Sequence, residues 1–217
     1  MTGHGHASAR HVVAAGYDQI AETYPDWASR VRGRAREHYT GVLLERLPDG
    51  AAVLDLGCAT GELLTKQLAE RFTVTGVDIS PRQIELARQR IPRATFIRAD
   101  MTELQLPPAS FDAVAAFYSL THLPREDVAP LLRSIYGWLR PGGLFVASLG
   151  AGDDPGGVEE DWLGVPMYFS AFDSATSRSL VEEAGFEVLS AQEEADEEDG
   201  MRIVFLWVVA RKPDQQS

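Results

Sequence analysis

The stretch Val53-Leu-Asp-Leu-Gly-Cys-Ala-Thr-Gly61, with Gly76-Val-Asp-Ile-Ser80 behind it, decides the fold. Residues 51–56 read as a buried strand. It runs into a tight turn holding Gly57 and Gly61, and a helical pattern follows over about residues 61–71. A second strand, 72–77, ends at an acid, Asp78. A glycine at position 57 lets the backbone come close to a ligand. An acid closing the second strand of such a unit is placed to accept both hydroxyls of a ribose.

Working outward, the same alternation continues. Ser80-Pro-Arg-Gln83 opens a helix: Ser80 caps, Pro81 suits the first helical position and Gln83 can bond back in a capping box. Ile84, Ala87, Arg88 and Ile91 fall on one side of it. Residues 95–99 and 111–118 read as the third and fourth strands, and Val128, Leu131, Leu132, Ile135 and Leu139 keep helical spacing. Pro141-Gly-Gly143 then turns the chain into a fifth strand, 144–149. Strands alternating with helices pair in parallel with right-handed crossovers. The end of the chain departs from this. Asp173 or Ser174 caps a helix that stops at Gly185, and two strands, 186–191 and 202–211, follow with no helix between them, so they are antiparallel. Residues 203–210 are apolar on both faces, which an edge strand is not. The expectation is an α/β fold with a doubly wound, seven-stranded, mostly parallel sheet, its antiparallel last strand inserted between the fifth and sixth. Ligands in such sheets bind beyond the carboxyl ends of the strands. Asp55, Gly57, Asp78, Asp100 and Tyr118 all map to that edge.

This ordered series resembles the class I S-adenosylmethionine-dependent methyltransferases, in their small single-domain bacterial form, over residues 15–211. Asp55-Leu-Gly-Cys-Ala-Thr-Gly61 is similar to the family's first motif, with Ala59 where glycine is usual. Asp78 matches the ribose-binding acid, Asp100-Met101 the pair that meets adenine, and Leu139-Arg-Pro-Gly-Gly-Leu144 the Pro-Gly-Gly turn. The resemblance implies S-adenosyl-L-methionine as methyl donor, S-adenosyl-L-homocysteine as product and no metal. It implies cofactor contacts from Asp55, Gly57, Cys58, Ala59 and Gly61 in the turn, and from Asp78, Ile79, Asp100, Met101 and Tyr118 at the later strand ends. A nicotinamide dehydrogenase fits less well. Its glycine fingerprint is absent, and acids at 55 and 78 suit a sulfonium and a ribose better than a pyrophosphate. Two other classes stay open: a sensor that binds S-adenosylmethionine without turnover, and a non-methylating catalyst on the same fold.

Residues 1–10 read as a disordered tail in which His4 and His6, with the following His11, lack a ligand set for a metal. A single methyltransferase domain is expected over 11–213, with a helical lid over 11–48 and an insertion at 150–173 on the substrate side. Tyr17-Asp-Gln-Ile-Ala-Glu-Thr-Tyr24 resembles a stretch that folds over the cofactor, although Tyr17 and Tyr24 also share a helix face suited to a core. Arg30, Arg32, Arg34 and Arg36 read as a solvated face, the rival being that one pairs with the methionine carboxylate. Trp162, Met167, Tyr168 and Phe169 are candidate walls of an acceptor pocket, with packing as the other account. Two roles stand open for His122: a general base toward a hydroxyl or amine, or a structural group that caps the following helix or bonds a strand-end carbonyl. Cys58 reads as a buried thiol rather than a nucleophile, having no histidine near it.

Composition sets the outer bounds. Lys plus Arg is 20 against 32 Asp plus Glu, a net charge of −12, which argues against general nucleic-acid binding. Six acids crowd residues 193–199, read as a solvated loop or, more sharply, as a field attracting cationic substrates. One cysteine permits no internal disulfide, and no apolar run is long enough to span a membrane. The expected partner is a small-molecule acceptor, with no nucleic acid or membrane, for a cytoplasmic monomer or homodimer.

Overall fold

The computed structural model describes residues 3–31, 33–198 and 200–214. Three helices come first: α1 (Gly3–Ile20), α2 (Tyr24–Val31) and α3 (Gly33–Arg46). The alternating body follows as β1 (Ala52–Leu56), α4 (Thr65–Leu68), β2 (Thr73–Asp78), α5 (Pro81–Arg90), β3 (Thr95–Arg98), β4 (Phe111–Ala116), α6 (Arg125–Trp138) and β5 (Leu139–Gly150). A hairpin, β6 (Asp154–Trp162) and β7 (Val165–Ala171), then precedes α7 (Ser174–Glu183), β8 (Glu187–Glu198) and β9 (Met201–Arg211).

The seven-stranded sheet has the order β3-β2-β1-β4-β5-β9-β8, with β9 antiparallel to both neighbours. This is the inserted strand that two-sided apolarity implied: residues 205–210 are all buried. Period-two alternation splits each central strand between two cores. Val53, Ala113, Ala115 and Val146 face α3, α4 and α5, together with Trp207. Leu54, Leu56, Val114, Ala116 and Phe145 face α6 and α7. The winding therefore reverses between β1 and β4, and their carboxyl ends diverge into a crevice there.

Several elements differ from expectation for local reasons. The helix expected from residue 61 shrinks to the single turn of α4, because Gly61 sits at φ +76° and a right-handed helix cannot pass through it. Ser80 does accept from the Gln83 amide at 3.0 Å, but its own N–H goes to Asp78, so Gln83 reaches the Tyr17 carbonyl instead of closing a capping box. The expected acidic loop is a strand: β8 stays paired with β9 as far as Glu198↔Met201, carrying the acids out on a long two-stranded arm. The expected tail is the start of α1, and Arg10 is already part of the packed structure; the side chains of His4 and His6 lie outside the described residues. Among the described residues no helix is long and apolar enough to cross a membrane.

The insertion is ordered as a hairpin. Leu163 and Gly164, at φ +52° and +84°, form a two-residue turn whose twist matches the flanking strands. The hairpin packs on α1, and Met167 seats against Gly16: a Cβ there would stand 2.8 Å from both Met167 Cε and the Pro166 carbonyl. Gly16→Ala gains about 1 kcal/mol of helix propensity. It must also shift a backbone carbonyl, and such overpacking costs about 1–3 kcal/mol. The expected result is a lower urea midpoint than wild type; an unchanged or raised midpoint would show the two surfaces to be less closely apposed.

Candidate functional site

At the crevice, four strand ends meet the N-terminal helices around a small cavity of about 60 Å³. The turn after β1 contributes Gly57 and Ala59, the end of β2 contributes Asp78 and Ile79, and the segment after β3 contributes Asp100 and Met101. Tyr118 and Ser119 follow β4, and His122 lies on the 3-10 turn Leu120–His122. Arg10, Val13 and Tyr17 of α1 and Tyr24 of α2 supply the remaining side. Ligand pockets usually enclose ~300–1,000 Å³. The cavity as it stands is smaller than a nucleoside-sized ligand needs.

Asp78 organises this edge. Its Oδ2 accepts from the Ala59 amide and its Oδ1 from the Ser80 amide, both at 2.9 Å. Ala59 has a positive φ of +49°, strained for a residue with a side chain, so the usual glycine at this position has a conformational reason. Burial pushes the Asp78 carboxyl up to about 6, against the pull of the two amides. Asp55 lies beneath the turn and accepts from the Thr65 hydroxyl at 2.5 Å. Burial lifts it to about 7; the Thr65 hydrogen bond opposes the shift, as Arg36 does more weakly, while the charge of Asp78 adds to it.

Of the residues singled out for the cofactor, Tyr17, Tyr24, Gly57, Ala59, Asp78, Ile79, Asp100, Met101 and Tyr118 are brought together on the cavity. Asp55, Cys58 and Gly61 are not among its lining: they sit under the turn and hold its shape. Burial raises the Cys58 thiol well above its ordinary range, so it is an inert core group. Gly57 is required by its φ of +78° and by Ser119, whose Cβ would lie 2.3 Å from an added Cβ; in this structure the close approach is to protein. Of the four arginines, Arg36 is buried, with Nη1 donating to the Ala28 carbonyl at 3.1 Å, Arg30 and Arg34 are exposed, and Arg32 lies outside the described residues.

The expected acceptor wall divides between packing and a second groove. Met167 has no exposed surface. Trp162 is the hub of an aromatic cluster, its ring 5.9 Å from Tyr17, 5.5 Å from Trp27 and 5.5 Å from Phe169. None of Trp162, Met167, Tyr168 and Phe169 lines the cavity, although Trp162 and Phe169 line a groove on the far side of the hairpin. Tyr168 acts through its backbone: its carbonyl lies 2.9 Å from His122 Nδ1. A carbonyl only accepts, so Nδ1 carries the proton and the neutral ring has its lone pair on Nε2. That nitrogen is 2.8 Å from the Tyr17 hydroxyl, which donates to it when the ring is neutral. His122 is thus held between the Tyr17 hydroxyl and the Tyr168 carbonyl of β7, and it caps no helix: Pro124 stands at the N-cap of α6.

Sequence reasoning missed Arg10 and Asp18. Arg10 stands 3.0 Å from Asp100, 2.8 Å from Glu103 and 3.3 Å from Asp127, tying α1 to the mouth of the site. The available signal was helical: positions 10, 13 and 17 share one face. Asp18 accepts from the Arg82 amide at 3.0 Å and from the Ser80 hydroxyl, so the lid helix caps α5.

A family model described as a methyltransferase domain matches residues 53–143, the glycine turn through the Pro-Gly-Gly turn. This match, with the relatives and structures below, supports a class I S-adenosylmethionine-dependent methyltransferase family. Its relatives include the 27-O-demethylrifamycin SV methyltransferase of Amycolatopsis mediterranei, 34% identical over 69% of this chain and 62% of that one. The carboxy-S-adenosyl-L-methionine synthase of Chromohalobacter salexigens is 35% identical over 50% of this chain and 43% of that one. In three dimensions the chain is similar to the 1,6-didemethyltoxoflavin-N1-methyltransferase of Burkholderia thailandensis, solved with 1,6-didemethyltoxoflavin and S-adenosylhomocysteine. That likeness has a TM-score of 0.73 at 24% identity, covering 99% of this chain and 92% of that one. The chain thus spans 62% or less of these two curated relatives' lengths.

The donor set fits the family's cofactor. Asp78 presents a buried carboxylate with lone pairs beyond its two amide bonds, as a ribose diol requires. The helix after the glycine turn begins only at Thr65, so no helix N-terminus is offered to a pyrophosphate.

The two raised carboxyls predict a pH dependence. Each binds its proton more tightly in the folded chain than in the unfolded one, where it titrates near ~4. Their contribution to stability is full below that value and is lost as pH rises through about 6 for Asp78 and about 7 for Asp55. Relative to Asp55→Asn, the ligand-free wild type should therefore lose stability between pH 4 and pH 7 in urea titrations. A difference that does not vary with pH would show that Asp55 is not raised.

Proposed function

We propose that this chain transfers a methyl group from S-adenosylmethionine to a small-molecule acceptor. The observation that carries this is Asp78, a buried carboxylate in the same cavity as the Tyr17–His122 pair. The cofactor supplies an electrophilic methyl on a sulfonium. Asp78 would hold the ribose hydroxyls, Asp100 the adenine amine, and Ile79, Met101 and Leu123 apolar contact for the ring. Tyr24 and Tyr118 would complete the pocket, and Arg36, buried and close enough to oppose the raised carboxyl of Asp55, would pair with the methionine carboxylate. Helix α1 and the β6–β7 hairpin exclude water, and holding the acceptor in line with the methyl supplies ~7–11 kcal/mol of barrier reduction.

For a hydroxyl or amine acceptor, the protein's remaining task is to take a proton. The Tyr168 carbonyl keeps Nδ1 of His122 protonated, which reserves the Nε2 lone pair for that step. The Tyr17 hydroxyl already donates to Nε2, so a proton passed to Tyr17 Oη moves on to the imidazole without reorienting either ring. General-base help of this kind is worth ~10²–10⁴-fold. The rifamycin and toxoflavin enzymes support a small natural-product-like acceptor. Likeness to the carboxy-S-adenosylmethionine synthase favours a second reading, non-methylating chemistry on the same cofactor. Release of S-adenosylhomocysteine separates the two.

Asp78→Ala should weaken S-adenosylmethionine binding by about tenfold or more in calorimetry, through loss of a carboxylate shared by two hydroxyls; unchanged affinity would remove Asp78 from the cofactor site. His122→Gln should lower turnover with a hydroxyl acceptor by about a hundredfold while cofactor affinity holds. Full turnover would leave His122 only its bonds to Tyr17 and Tyr168.

A further inference from the structure

Behind the aromatic wall lies a second, larger space: a groove of about 770 Å³ between the β6–β7 hairpin and the outer ends of β8 and β9. Its volume is within the ~300–1,000 Å³ range of small-molecule sites. The groove and the cofactor cavity are back to back. Thr121 lines the groove, and its chain neighbour His122 lines the cavity. Phe169, on the groove side, has its ring 4.8 Å from the His122 imidazole.

The groove surface has two characters. Val158, Trp162, Phe169, Met201, Ile203 and Phe205 give it apolar area, and Val158 and Met201 are among the exposed large hydrophobic residues, at 41% and 60%. Its charges are Asp153, Asp154, Glu159, Asp161 and Glu198 against Arg202. Asp153 is held by Arg125, and Asp154 accepts from the Gly156 amide at 2.9 Å. Glu159 and Asp161, on the same strand, are exposed. At physiological salt a charge acts over ~8 Å, so these local carboxylates, more than the charge of the whole chain, set the potential inside the groove.

We propose that this groove is the acceptor subsite, and that the acceptor is an amine: an apolar, ring-bearing body with a protonated nitrogen. The ring body would lie on the Trp162–Phe169–Met201 surface, the ammonium would face Glu159 and Asp161, and the atom to be alkylated would point toward Thr121 and His122. A second copy of the chain is a poor occupant, since a two-fold contact would set the same acids against one another. This assignment rests on the methyl-transfer reading for its meaning, but its test does not need turnover.

The test titrates the full chain, labelled at Val and Met methyls, with tryptamine and separately with indole-3-acetate, two probes that share a ring and differ in charge. Tryptamine should shift the Val158 and Met201 methyl signals saturably, and indole-3-acetate should not. A Glu159→Gln/Asp161→Asn double variant, altered only at exposed positions, should bind tryptamine about fivefold more weakly and with less dependence on salt. The Asp78→Ala variant should keep the tryptamine shifts, so a failure of cofactor binding and a failure of the groove are told apart. Equal shifts with indole-3-acetate, no shift with tryptamine, unaltered binding by the double variant, or sedimentation showing a dimer whose contact covers Val158 and Met201 would each overturn the proposal.

Discussion

The register of β1 on β2 governs the rest of the site. Asp55 pairs across from Gly76 and Leu56 from Val77, so the chain leaves β1 one step before Asp78 ends β2. The first glycine turn then folds under a carboxylate that is already in place, and the Ala59 and Ser80 amides converge on it. An ionised carboxylate this deeply buried is costly unless hydrogen-bonded, and two amides only partly offset the cost. The carboxyl is left raised.

The lid is attached to that same feature. Asp18 on α1 accepts from Ser80 and Arg82, two and four residues beyond Asp78 at the end of β2. Tyr17 reaches His122, and Arg10 reaches Asp100 and Asp127. Helix α1 therefore touches the ends of β2 and β3, the 3-10 turn after β4 and the start of α6. With Met167 seated against Gly16, the hairpin and the helix pack as one unit. This unit is held to the sheet edge by partly exposed ion pairs that each contribute little and by an aromatic cluster that contributes more.

Much of the fold was legible because it depends on periodicity. The five parallel strands, the Ser80 and Asp173 caps, the hairpin order of the last two strands and the interior position of β9 all follow from alternation and turn chemistry in short windows. What failed were inferences about surroundings. Residues 193–198 are acidic enough to suggest a loop, yet pairing with the apolar β9 carries them in a strand. Asp55 and Gly61 sit in the motif but under the turn, since alternation along a five-residue strand and a reversal at φ +76° point them away from the cavity.

The order of strands, the place of the glycine turn and the acid closing β2 were determined by the sequence alone, because each depends on residues within one or two turns of chain. Only the tertiary structure decided that Arg10 joins the site, that Met167 is buried rather than facing an acceptor, and that His122 carries its proton on Nδ1. These depend on groups 46 to 151 positions apart meeting in space, as Tyr168 meets His122 and Met167 meets Gly16. Local propensity carries no record of such encounters; they are set by how helix α1 and the hairpin settle on the sheet edge.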